Sequence, residues 1–333
     1  MAAVIEVSGI SKSFKAYDVV GKGFLSSFRR KYYSKKALNN VSFSVGEGEL
    51  IALLGRNGSG KSTLIKILTG ILFPDKGEVS VLGFDPWNER IKLAEHIGVV
   101  LGAHGQLFWD LPPLDAFEFM RKIYHVPRKA YERRLNTFLD ALEIRGIYKR
   151  QVRTLSLGEQ MKCNFVASVL HGPQIVFLDE ATIGVDLISK AMLTKTIMEM
   201  NKSENVTFVL TTHIVEDIAM AKRILILNRG SLVFDDRKEK LEGLFGDRVR
   251  IDLQMTTDVP REYARYGRIL EKGHNYVRLE VSKKTLKKPS FIKLLSSKNV
   301  MDYRVSEIGL TNILMKLYSS MREKRGKGGG GHV

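Results

Sequence analysis

A single cysteine, Cys163, stands among 333 residues. No internal disulfide can form, and a reducing cytosol is the natural compartment. Long apolar runs are also missing. Leu50–Leu54, Ile97–Leu101 and Ile175–Leu178 all fall far short of the roughly 20 residues that span a bilayer. The segment Met1 to Val7 carries an acid at Glu6 and lacks the basic-then-apolar design of a secretory signal, so none is expected. No fixed-period repeat occurs. What is present is a 44% hydrophobic and 27% charged composition, which excludes a mainly disordered chain and allows two unequal domains.

Acidic residues are outnumbered 36 to 53, a formal charge of +17. Residues 15–36 set seven cations against Asp18 alone, and residues 241–333 set 19 basic against 10 acidic residues, so the middle of the chain is nearly neutral. The basicity sits on appendages. Such patches attract anionic headgroups or nucleic acid, or serve simply as a solvated surface.

Short apolar runs alternate with helical periodicity through the first 240 residues, as in an α/β fold with a buried parallel sheet. Strands are expected at Val4–Val7, Val41–Val45, Leu50–Leu54, Val79–Leu82, Ile97–Val100, Ile175–Leu178, Thr207–Leu210, Arg223–Leu227 and Ser231–Phe234. Between Ala103 and Leu170 only helical patterns occur, at Leu114–Tyr124, Arg128–Leu142 and Leu157–Leu170, so a helical subdomain (about 103–170) interrupts the sheet. Residues 245–325 restart as a small α+β module, with helices from Ser290 and Thr311. The glycine-rich residues 326–333 read as a flexible tail.

The strongest local signal is Gly55-Arg56-Asn57-Gly58-Ser59-Gly60-Lys61-Ser62-Thr63, which follows the strand Leu50–Leu54 and opens an apolar-faced helix. Glycines let successive N–H groups curl round phosphate oxygens, and the helix start adds unpaired N–H groups. Lys61 is placed to reach the β- and γ-phosphates, and Ser62 to bind Mg²⁺. A ligand-free glycine turn would not need strand, loop, lysine and helix in that order. Asn201-Lys202-Ser203-Glu204 ends in the wrong acid for a guanine-reading motif, which argues against a GTPase.

Ile175–Leu178 ends in Asp179-Glu180, at a strand terminus where ligands of open α/β sheets sit. Asp179 suits Mg²⁺ held through water, and Glu180 suits a general base for the attacking water. Further on, Leu155-Ser156-Leu157-Gly158-Glu159-Gln160 has capping-box spacing. It reads either as a well-capped core helix or as a second phosphate-embracing helix start.

Loop, L-S-x-G helix start, Asp-Glu strand and a later strand leading to His213 resemble, in order and spacing, the ATP-binding cassette (ABC) ATPases over about residues 4–240, within a cassette domain of residues 1–240. The resemblance implies an α/β P-loop core with a helical subdomain, plus the small C-terminal domain. It also implies ATP and Mg²⁺, with two cassettes head to tail as a homodimer. Ser156 and Gly158 would contact the γ-phosphate held by the partner. Ile183-Gly184-Val185-Asp186 resembles the loop that crosses the interface, and His213 the histidine that senses the γ-phosphate. Phe14 stands where an adenine-stacking aromatic is expected, with Tyr17 as a fallback. The chain departs from the pattern at Leu157, at Ala181, and at Ala103, where a glutamine is usual and Gln106 lies three residues on. Residues 97–112 and the C-terminal module are similar to the ABC-2-type exporter subgroup. That implies a separate integral membrane permease and a peripheral place on the cytoplasmic side of the membrane. The basic insertion 15–36, with Phe24, Leu25, Phe28, Tyr32 and Tyr33, is read as a contact with the anionic leaflet or the permease. A soluble ABC ATPase acting on nucleic acid or ribosomes is the alternative. The chain shows neither a second cassette, nor coiled-coil insertions, nor a nucleic-acid-reading motif.

Overall fold

The computed structural model describes residues 3–19, 30–102, 107–182, 184–212, 216–243 and 247–307. The chain divides into two compact units at Asp236/Arg237. Strands of the first unit are β1 (Ala3–Val19), β2 (Arg30–Gly46), β3 (Leu50–Leu54), β4 (Lys76–Val81), β5 (Ile97–Leu101), β6 (Ile175–Asp179), β7 (Thr207–Thr212), β8 (Arg223–Asn228) and β9 (Ser231–Arg237). Its helices are α1 (Lys61–Leu68), α2 (Arg90–Ala94), α3 (Pro113–Ile123), α4 (Arg128–Ala141), α5 (Leu157–Val169) and α6 (Leu187–Ser203).

A six-stranded sheet runs β5-β6-β7-β3-β8-β9. The pairs from β5 to β8 are parallel, and β3, β6 and β7 are buried along their whole length. That explains their uninterrupted apolar character. β8 and β9 join through Arg229-Gly230, both at positive φ, as a two-residue hairpin turn requires. A second, antiparallel sheet runs β2-β1-β4. Between the two lies the core, where Ile5, Leu38, Ile51, Leu53, Leu64, Ile67, Phe177, Val209 and Leu225 are all buried.

One element departs from expectation. The β1/β2 ladder does not stop at the short strands but continues outward, pairing Phe14 with Lys35, Tyr17 with Tyr32 and Val19 with Arg30. Aromatic residues on both strands favour the pleat, and the Tyr17 and Tyr32 rings meet at 5.9 Å. The insertion is thus in part a β-ribbon. Residues 20–29, with Lys22, Phe24, Leu25, Phe28 and Arg29, lie outside the described residues.

The second unit contains α7 (Lys238–Gly243), β10 (Arg248–Met255), β11 (Gly267–Lys272), β12 (Tyr276–Ser282), α8 (Lys283–Leu286), α9 (Pro289–Leu295) and β13 (Val300–Glu307). Its antiparallel sheet runs β11-β12-β10-β13. Val249, Ile251, Leu253, Val277 and Leu279 turn one face onto Tyr263, Phe291 and Leu295 as a separate core. The expected helix from Thr311 and the tail 326–333 lie outside the described residues.

Candidate active site

The glycine-rich loop 55–60 links β3 to α1. Gly60 caps the helix at φ 110° with no side-chain cap, and the first turn holds no acid. The positive end of the helix is therefore free for an anion. Gly55 is required for packing as well as curvature. A Cβ there would lie 2.2 Å from Ser59 Oγ and 2.6 Å from the Leu227 carbonyl on β8. Gly58, at φ 76°, has nothing within 4 Å of its Cβ direction, so it serves backbone conformation alone. Arg56 and Asn57 are exposed at the loop tip, whereas Ser59 is buried and Thr63 half-buried in the first turn.

Lys61 is buried, and its ammonium donates to the Gly55 carbonyl at 2.8 Å and pairs with Glu180 Oε1 at 3.6 Å. Ser62 Oγ donates to Asp179 Oδ1 at 3.2 Å. Loop and Asp-Glu strand thus meet directly, 117 residues apart in sequence between Ser62 and Asp179.

A residue that sequence reasoning overlooked completes the cluster. Thr211, buried on β7, lies in register with Asp179 on β6. Its hydroxyl donates to Asp179 Oδ1 at 2.5 Å and accepts the Glu180 N–H at 3.0 Å. Glu180 itself has φ 55°, a left-handed conformation costing a non-glycine residue about 1–3 kcal/mol. The Thr-Thr ending of Thr207–Thr212, beside an acid-tipped strand, was the signal available in the sequence.

Ser156, Gly158 and Asp186 form a second cluster at the starts of α5 and α6. Ser156 caps α5 in a full capping box, its N–H on Glu159 Oε2 at 2.7 Å and its Oγ accepting from the Glu159 N–H at 3.3 Å. Asp186 caps α6, accepting the Ser189 N–H at 2.9 Å, a bond that holds its carboxyl below the usual range. A Cβ on Gly158 would meet Asp186 Oδ2 at 2.4 Å and Ser189 Oγ at 2.8 Å. The two helix starts are therefore pressed together, and only glycine fits between them. Phe14 stands on β1, 42% exposed, with the Lys12 ammonium 5.9 Å from its ring centre; Tyr17 is 49% exposed. His213, Ile183, Ala103 and Gln106 lie outside the described residues.

A buried lysine in a glycine loop at a helix start, facing an Asp-Glu strand end, defines a nucleoside triphosphatase of the P-loop class. Comparison with known proteins narrows this. The ABC transporter family model matches residues 38–183. An uncharacterized ABC transporter ATP-binding protein of Methanocaldococcus jannaschii is 35% identical over 205 residues, covering 61% of this chain and 73% of that protein. The energy-coupling factor transporter ATP-binding protein EcfA1 of Enterococcus faecalis is 31% identical over 242 residues, 72% of this chain and 81% of that one. NatA of Bacillus subtilis, an ABC transporter ATP-binding protein, is 26% identical over 215 residues, with 64% and 87% covered. Among solved structures, an ATP-binding subunit of an ABC transporter shares the fold at TM-score 0.61 and 23% identity, covering 73% of this chain and 93% of its own. A dimeric cassette in a post-hydrolysis state bound to ADP and Pi gives 0.59 and 20%, covering 70% and 98%. The chain belongs to the ATP-binding subunits of ABC transporters and is an ATPase of that family.

Proposed function

We propose that two copies of this chain close around two Mg-ATP and drive substrate movement through a separate membrane subunit. The observation that carries the reading is the meeting of Lys61, Ser62, Asp179 and Glu180 at one helix start. Ser62 and Asp179 offer only oxygen donors, which suits a hard cation such as Mg²⁺, whose remaining positions are normally taken by water and phosphate. When bound, that ion shields the charge of the phosphates. Lys61 exchanges its contacts with Gly55 and Glu180 for phosphate oxygens, and the loop N–H groups hold the remainder. Glu180 is then left to take a proton from the attacking water. Ser156 and Gly158 complete the site of the second copy, and the loop 183–186 crosses the interface between the two copies. Phe14 provides the adenine surface, and His213 senses the γ-phosphate. Closure follows from contacts made only with the triphosphate, and its loss on hydrolysis lets the pair open.

A membrane-subunit partner is supported by apolar surface in the first unit. A groove of about 340 Å³ is lined by Ile71, Arg90, Val99, Tyr124 and Asn164. Phe73, Ile91, Trp109 and Ile123 are 51–82% exposed. The exporter assignment rests on residues 97–112 and on the C-terminal module. It is tested against import by reconstituting the complex in vesicles and following the direction of ATP-driven flux. Contact of the basic, tyrosine-bearing β1/β2 ribbon with anionic lipid is tested by vesicle flotation of a chain lacking residues 22–34.

The direct test of the site is Glu180→Gln. It should bind ATP, lose about 10²–10⁴ of hydrolysis rate, and accumulate as a closed dimer. Unimpaired turnover would remove Glu180 from the role of base.

A further inference from the structure

Among the described residues, the sheet of the second unit ends in a strand with no neighbour on its outer side. β13 pairs with β10 on one side only, as the last strand in the order β11-β12-β10-β13. Met301, Asp302, Tyr303, Arg304 and Val305 are all exposed, with Met301 at 68%, Tyr303 at 49% and Val305 at 43%. A free edge is a template for pairing with another chain, and proteins usually guard it with uncompensated charge. Here the charges are of opposite sign and two residues apart. Neither Asp302 nor Arg304 makes an ion pair among the described residues.

The register with β10 sorts the side chains. Tyr303 and Val305 oppose Leu253 and Ile251 on the apolar face, while Asp302 and Arg304 oppose Gln254 and Asp252 on the polar face. Suppose a second copy of β13 is added antiparallel, about a two-fold axis normal to the sheet. The axis keeps each face continuous, so the pairing register can change only in steps of two residues. Centred on Asp302, the register sets Asp302 against Asp302; centred on Arg304, it sets Arg304 against Arg304. Centred on Met301, it sets Arg304 beyond the start of the partner strand and leaves Asp302 opposite Val300, with no unlike charges paired. Centred on Tyr303, it places Asp302 of each copy across from Arg304 of the other, stacks the two tyrosines, and sets Val305 across from Met301. Met301 lies where the β10 ladder is bulged. Among the centrings from Met301 to Arg304, the one on Tyr303 alone sets unlike charges directly opposite each other and no like charges.

We infer that β13 is a homodimerisation edge, through which the second units of two copies join their four-stranded sheets into one continuous eight-stranded sheet. The occupant is a second copy of this chain because the segment Asp302-Tyr303-Arg304 is complementary to itself under two-fold symmetry. This contact involves no nucleotide, and so stands or falls apart from the ATP-dependent dimer proposed above.

The test is sedimentation velocity of the full-length chain without nucleotide, over a dilution series. Wild type should self-associate. Asp302→Arg sets the introduced guanidinium against Arg304, and Arg304→Asp sets the introduced carboxylate against Asp302, each twice per dimer. Each should weaken self-association about tenfold or more, since like charges directly opposite are unfavourable. Equimolar mixing of the two variants places two cations against two anions and should restore association as a heterodimer. The double swap, D302R with R304D in one chain, should self-associate like wild type. Restoration by mixing separates a lost contact from a damaged fold. A wild type that stays monomeric at every attainable concentration would overturn the proposal. So would variants that sediment like wild type, or a mixture no more associated than its components. Association that requires ATP and is abolished by Lys61→Ala, with no response to the charge variants, would leave the cassette interface intact and remove this one.

Discussion

Thr211→Val tests whether Asp179 and Glu180 are positioned by the strand beside them. Valine keeps the branched shape, so a cavity does not explain any effect. What is lost is one hydroxyl, which donates to Asp179 at 2.5 Å and accepts from the Glu180 N–H at 3.0 Å. Asp179 and Thr211 are both buried, so water does not readily replace the bond. A hydrogen bond to a charged group contributes about 1.5–3 kcal/mol. The Glu180 N–H keeps a second acceptor, the Thr211 carbonyl at 3.1 Å, and so adds little to the loss. For a unit of this size each kcal/mol shifts the melting temperature by about 2–4 °C, which gives a decrease of roughly 3–12 °C. Because Asp179 also accepts from Ser62, a looser carboxylate should raise the Mg²⁺ concentration needed for half-maximal ATPase activity. Turnover should fall about tenfold if as little as 1.4 kcal/mol of positioning is lost in the transition state. The assay is calorimetry together with an ATPase titration in Mg²⁺, with Thr211→Ser as the hydroxyl-restoring partner. If Thr211→Val melts and responds to Mg²⁺ as wild type does, the positioning role is refuted. A serine variant no better than valine would refute it too.

Lys61→Ala removes the ammonium that pairs with Glu180 and is proposed to reach the phosphates, and titration calorimetry should detect no productive ATP binding. Gly158→Ala ought to favour an ordinary helix by about 1 kcal/mol, yet here its Cβ would strike Asp186 and Ser189. The α6 cap should weaken by about 0.5–2 kcal/mol, and ATP-dependent dimerisation measured by light scattering should fall with it. His171 supplies a pH dependence. Burial pushes its imidazole down to about 4, with the ring stacked 4.0 Å from Tyr124 and Nε2 at 3.1 Å from the Ile97 carbonyl. The unfolded chain takes up that proton below about 6.5 and the folded one does not until about 4, so stability falls as pH drops through this window. The loss reaches about 2 kcal/mol by pH 5. Melting curves at pH 7 and 5 should show the difference, and His171→Gln should flatten it.

The family was legible in the sequence because its chemistry is written in contiguous strings. A glycine loop must be continuous for its N–H groups to converge, and Ser156 and Glu159 cap a helix only at that spacing. Strand positions in the six-stranded sheet were legible for a related reason: strands covered on both faces are apolar throughout. Thr211 escaped notice because its role depends on parallel register between β6 and β7, and nothing local to Thr207–Thr212 states which residue faces Asp179. The long β1/β2 ribbon escaped for the same kind of reason. Lys15, Ser34, Lys35 and Lys36 have no strand-like alternation, and it is cross-strand pairing that makes the segment extended. Asp186 was read as an interface residue, and its cap on α6 became visible only once its distance to Ser189 was known.

Two adjacent carboxylates at a strand end would ordinarily point to opposite faces of the sheet. Asp179 stays in the ladder, its backbone paired in register with Leu101 on one side and Thr211 on the other. That fixes its carboxylate beside Ser62 at the start of α1. Glu180 breaks from the ladder at φ 55°, and both acceptors that hold its N–H belong to Thr211. The turn brings its carboxylate to the same loop, against Lys61, instead of to the far face of the sheet. One strained residue therefore converts neighbouring acids into two groups with separate partners, one beside a hydroxyl and one beside an ammonium. The strain is held in place by the same threonine that orients Asp179. A single threonine hydroxyl therefore governs where both acids sit.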